Sequence, residues 1–180
     1  MRLMLILLGW ALTVLAGDYG FRVERADLVR RGDMLALSAA IHYRFSPALI
    51  RALRHGVPLT LTVEVKILRP RRGLWDERLW QRRLNFRIQY YPLARVYRVI
   101  DETNHSQRSF PRLDAALAAL GRLQEIALPV PEGWQPPARA YAEVDVGLNI
   151  ERLPWALRPL AYFSPAWRLI SEPYRWPLTG

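Results

Sequence analysis

Apolar and polar side chains alternate residue by residue through four stretches of this sequence. Leu59, Leu61, Val63, Val65 and Ile67 alternate with Thr60, Thr62, Glu64 and Lys66. A helix would scatter that pattern around its circumference, whereas a half-buried strand puts every apolar side chain on one face. Leu84, Phe86, Ile88 and Tyr90 repeat it against Asn85, Arg87 and Gln89. So do Ala142, Val144, Val146, Leu148 and Ile150 against Glu143, Asp145, Gly147 and Asn149. Leu35, Leu37, Ala39, Ile41, Tyr43 and Phe45 form a fourth run, and weaker strands are expected at 21–30 and 94–100.

Turn chemistry connects these runs. Arg31-Gly32-Asp33 closes a hairpin between the first two, and Arg69-Pro70-Arg71-Arg72-Gly73 opens a longer loop. Tyr91-Pro92 ends a strand because proline has no ladder donor. Ser46, Pro47 and Gly56 read as the cap, first residue and stop of a short helix over 47–55. Leu113, Leu117 and Leu120 are spaced for a second helix, ending near Gln124. Pro129–Pro137 reads as a surface loop. Strands that follow one another without a helix between each pair disfavour a parallel sheet. The expected fold is mainly β, an antiparallel β-sandwich of about six to eight strands with two short helical insertions.

The first sixteen residues read as an export signal. Arg2 supplies the positive end, an apolar run follows from Leu3 to Leu15, and Val14 and Ala16 suit a cleavage site. The alternative is a retained anchor. The fifteen uncharged residues from Leu3 to Gly17 would span only about 22 Å as a helix, short of a hydrocarbon core of about 30 Å. Residues 17–180 then form one β-rich domain, with 153–180 as a C-terminal segment that its five prolines suit to an extended wrap. The expected location is the periplasm or envelope.

The chain has no cysteine, so disulfides and thiolate chemistry are excluded. Its 26 basic residues are 25 arginines and one lysine, and the formal net charge is +10. Such a surface suits an acidic protein or an anionic membrane surface. Nucleic acid is not an expected partner of an exported chain. Candidate contact residues are Arg71, Arg72, Arg78, Arg82, Arg83 and Arg87. The C-terminal aromatics Trp155, Trp167 and Trp176 join them, since tryptophan with arginine suits interfaces and lipid headgroups.

Enzyme chemistry has little support. The sequence holds no G-x-S-x-G, S-x-x-K, phosphate loop or dinucleotide fingerprint. Glu143 and Asp145 share a strand face at a separation near the roughly 6.5–9.5 Å of inverting glycosidases. On an outward face they are better read as partners of neighbouring arginines, with Arg82 and Arg87 available. Asp101-Glu102-Thr103-Asn104-His105 offers oxygen and imidazole ligands, but in no metal-loop spacing. Arg31-Gly32-Asp33 spells an adhesion tripeptide and is already explained as a turn. No metal or cofactor is expected.

Four pieces near the C-terminus carry a resemblance. They are Leu153-Pro154, Leu157-Arg158, Ser164-Pro165-Ala166-Trp167-Arg168-Leu169 and Tyr174-Arg175-Trp176-Pro177-Leu178. Together they resemble the closing signature of a proteobacterial family of small exported proteins catalogued as a domain of unknown function. Residues 53–61, Tyr90-Tyr91-Pro92-Leu93 with Val96-Tyr97, and Ser109-Phe110 fit the same pattern. Glu172-Pro173-Tyr174 departs from it, where the family usually has a second tryptophan-containing step. The resemblance implies a Gram-negative envelope setting and genes often found beside a nitrogen-type membrane sensor kinase. A sensor domain is therefore one expected partner. It implies no catalytic residues.

Overall fold

The computed structural model describes residues 19–178; the expected export signal at 1–16 lies outside them. The alternating runs are strands. The first hairpin pairs β1 (Gly20–Arg31) with β2 (Met34–Arg44), and its turn residue Gly32 has φ +62°, a conformation that favours glycine. After α1 (Pro47–Arg54) come β3 (Leu59–Arg69), β4 (Glu77–Tyr91), β5 (Val96–Asp101) and β6 (Ser106–Phe110). Then follow α2 (Leu113–Leu120), β7 (Arg122–Pro129), β8 (Tyr141–Leu148), α3 (Arg158–Phe163) and β9 (Tyr174–Pro177).

Two antiparallel sheets result, β1-β2-β7 and β6-β5-β4-β3-β8-β9. The strand with the cleanest alternation, β3, lies inside the larger sheet between β4 and β8. Leu59, Leu61, Val63, Val65 and Ile67 are all fully buried, and Ala142, Val144 and Val146 join them from β8. Burying each such Val or Leu side chain is worth about 1.5–3 kcal/mol. Opposite, the smaller sheet contributes Phe21, Val23, Leu28, Leu37 and Ile41. Phe21 packs edge-on against Tyr43, with ring centroids 5.2 Å apart.

Among the described residues nine strands form, where about six to eight were expected. β6 and β9 are short edge strands, and β6 (SQRSF) has almost no apolar face to signal it. β7 occupies part of the stretch expected to continue the second helix. Gly121 stops that helix early: its carbonyl accepts from Ile41 N at 2.8 Å, joining α2 and β7 to β2. The expected extended wrap is also corrected. Residues 150–163 form two 3₁₀ turns, Ile150–Arg152 and Trp155–Leu157, followed by α3, with Pro159 inside the first turn of that helix, where its missing N–H is tolerated. A turn over 165–167 follows, Trp167 N donating to Ser164 O, and only beyond it does the segment extend. Ile170 bridges to Gly147, and β9 then pairs with β8.

One end of the sandwich gathers distant parts of the chain. The start of β1 pairs with the end of β2, Gly20 opposite Arg44. Ser46, just beyond, caps α1 by accepting from Leu49 N, and its hydroxyl donates to Ala166 O at 2.5 Å. Leu148 N, at the end of β8, donates to Leu169 O at 2.9 Å. The entry of the folded chain and the segment around α3 therefore lie at the same end.

Candidate functional site

Alternation that buries one face of β3 and β8 sends Glu64, Lys66, Glu143 and Asp145 to the other. Lys66, the only lysine, lies at their centre. Its ammonium is 2.8 Å from Asp145 Oδ2, 2.9 Å from Glu64 Oε2 and 3.3 Å from Glu143 Oε1. Arg83 Nε reaches Glu64 at 2.6 Å and Arg175 Nε reaches Glu143 at 2.6 Å. The partners of Glu143 and Asp145 are thus Lys66 and Arg175 on the strands flanking β8. The expected Arg82 and Arg87 lie on β4, which does not touch β8. Both carboxylates turn an oxygen to the same ammonium, an arrangement that braces the sheet.

Local charge sets the ionisation of this group. Burial raises the Asp145 carboxyl above its ordinary value despite Lys66. Burial also acts to raise Glu64, but hydrogen bonds from Lys66 and Arg83 outweigh it and hold that carboxyl low. Lys66 is desolvated too, and the carboxylates of Asp145 and Glu64 more than offset this, so it stays charged to strongly alkaline pH. Tyr141, on the same face, donates its hydroxyl hydrogen to Asp76; burial and that carboxylate push the phenol up to about 12.

The candidate arginines do not share one face. Arg83 lies opposite Glu64 and Arg78 opposite Leu68, both on the outer side. Arg82 lies opposite the fully buried Val65, so it belongs to the inner side at the sheet's margin. There it lies over the Trp80 ring, 5.8 Å from its centroid, and donates to Pro129 O. Arg71 pairs with Glu77 at 2.7 Å, and Arg87 lies 3.7 Å from Glu102. Of the six, Arg83, Arg71 and Arg87 are therefore paired with acids of the same chain. Arg72 and Arg78 are exposed.

The C-terminal tryptophans divide as well. Trp167 is buried, Trp176 is half-buried against the core, and Trp155 is 81% exposed. Trp155 is not alone: Leu160, Tyr162, Phe163 at 89% and Ile170 are also exposed. Ala161, Leu153 and Leu169 hold the same segment to the body from beneath. Arg158 and Arg168 stand exposed among the aromatics, Arg158 donating to Leu153 O at 2.9 Å, while Arg152 is paired with Glu102. The sequence signalled this composition but not which rings face inward. A second exposed aromatic, Trp75 at 94%, sits on the β3–β4 loop and was not singled out by sequence.

The polar run after β5 is a turn. Asp101 is buried and accepts from Thr103 N, Asn104 N and the Asn104 side chain. Its oxygens face the turn's own donors. Among the described residues, no group of three or more His, Asp or Glu is placed to hold a metal ion, and no helix is long and apolar enough to cross a membrane.

A family model described as a domain of unknown function, DUF4390, matches residues 18–177. No curated protein and no solved structure matches this chain.

Proposed function

We propose that this chain, which belongs to the DUF4390 family, is an exported, non-enzymatic binding module of the cell envelope that docks on an anionic membrane surface. The observation that carries the reading is the exposed group Trp155, Leu160, Tyr162 and Phe163, interleaved with Arg158 and Arg168. Clustered exposed apolar side chains mark contact sites. Aromatic rings sit well at the headgroup level, and arginines beside them match anionic lipid.

Flotation of residues 17–180 with vesicles of phosphatidylglycerol and of phosphatidylcholine tests this. The protein should float with the anionic vesicles and lose that on Trp155→Ser with Phe163→Ser. No flotation with either vesicle overturns the reading.

A second reading rests on the β3–β4 loop. Arg72 and Arg78 are exposed there, beside Arg71, and would meet an acidic protein surface such as a sensor domain. Recovery of an envelope partner that is lost on Arg72→Glu with Arg78→Glu, while flotation is kept, favours this reading.

A further inference from the structure

A groove of about 630 Å³ opens on the outer face of the six-stranded sheet, at the end away from α3. Lys66, Tyr141, Glu143 and Arg175 line its floor, and Trp75 and Arg78 stand at its margin. Trp75 is the most exposed tryptophan among the described residues. Leu74 beside it is exposed too, so a small apolar patch borders a recess of fixed polar groups, the make-up of a ligand contact.

The polar groups are already held in place. Glu143 is fixed between Lys66 and Arg175, and Tyr141 is tied to Asp76. Preorganised groups bind without a large ordering cost. They are also matched in sign: Lys66, Arg78 and Arg175 face Asp76, Glu143 and, just beyond, Asp145 and Glu64. A charged ligand would have to unseat an existing ion pair. A neutral ligand rich in hydroxyls would not, since it donates to free carboxylate lone pairs and accepts from arginine.

One chemistry presents both an apolar flat face and a hydroxyl edge, the sugar ring. We propose that this groove binds a neutral glycan, with one ring stacked on Trp75 and its hydroxyl edge turned to Asp76, Glu143 and Arg175. The site is separate from the aromatic segment proposed to meet the membrane.

Isothermal titration of the full chain in a non-glycosidic detergent, with cellotetraose and with chitotetraose, tests the assignment. At least one should bind saturably, with a Kd of roughly 0.1–1 mM. Trp75→Ala should weaken that binding at least about tenfold without changing Tm, because the removed ring packs on nothing. Trp155→Ala should bind as the parent does. No heat from either sugar up to about 10 mM, well past the range of a weak site, overturns the proposal. Equal binding by Trp75→Ala overturns it too. Vesicle flotation of Trp75→Ala should match the parent, so failure here is distinguishable from failure of the membrane reading.

Discussion

Lys66 reaches diagonally from β3 to Asp145 on β8, Nζ to Oδ2 at 2.8 Å, while its direct cross-strand partner is Glu143. An ammonium with three donors can serve three carboxylates around it. A planar guanidinium presents its donors in a fixed fork and cannot. This accounts for a lysine at the centre of the cluster in a chain whose other cations are all arginine.

Lys66→Met removes the cation and leaves Glu64, Glu143 and Asp145 crowded. At pH 7 the variant should be less stable by roughly 3 kcal/mol. In the parent, Glu64 is held low, so its contribution is present above the ordinary carboxylate range and fades as pH falls through its folded value, while the raised Asp145 carboxyl acts in the opposite sense. In the variant Glu64 and Asp145 lose the cation that lowers them and shift upward, so stability should rise as pH drops from about 7 to 5. Urea midpoints at the two values check the sign. A parallel loss in both proteins would show that the ammonium does not govern the cluster.

Lys66→Arg keeps the charge and loses the geometry. It should cost about 1–2 kcal/mol at pH 7, less than Lys66→Met, with the parent's direction of pH dependence retained. The same denaturation series measures it.

Gly121→Ala should be among the most damaging single methyl additions. A Cβ there would lie 2.1 Å from the carbonyl oxygen of Ile41. That neighbour is backbone, and the N–H of the same residue is bonded to the Gly121 carbonyl at 2.8 Å, so it cannot move aside cheaply. A loss of about 3 kcal/mol or failure to fold is expected, read as soluble yield and urea midpoint.

Ser46→Ala removes two bonds at a fully buried site, leaving Leu49 N and Ala166 O without that partner. A loss of about 2–3 kcal/mol is expected. Amide exchange should rise in both α1 and residues 164–169. Faster exchange in α1 alone would show that Ala166 is held by other contacts.

Asp101→Ala should destabilise the β5–β6 turn by about 1–2 kcal/mol, while calcium and EDTA leave the parent's Tm unchanged. A calcium-dependent rise in Tm would return the cluster to the list of ion sites.

The body of the sandwich was legible because its signal is local. In β3, every second residue is apolar, and every one of those is fully buried. β9 was not legible, because its four residues (YRWP) gain their place from pairing with β8 and carry no pattern of their own. The start of β7 reads as the end of a helix because Leu113, Leu117 and Leu120 set a helical spacing that leads on toward Gln124; the contact of Gly121 with Ile41, eighty residues earlier, decides otherwise. The candidate surface was legible in composition alone. Sequence places aromatics and arginines between 155 and 176, but only packing separates buried Trp167 from exposed Trp155. Likewise Arg82 and Arg83 are adjacent in sequence and point to opposite sides of their sheet, as neighbours in a strand must.

The bond from Ser46 to Ala166 joins residues 120 positions apart. It has a consequence for the timing of folding. During N- to C-terminal synthesis Ser46 emerges early, yet its hydroxyl meets its acceptor only after Ala166 has been made. Closing so long a loop is slow, so the docking of residues 164–169 on the start of α1 belongs among the last steps of folding.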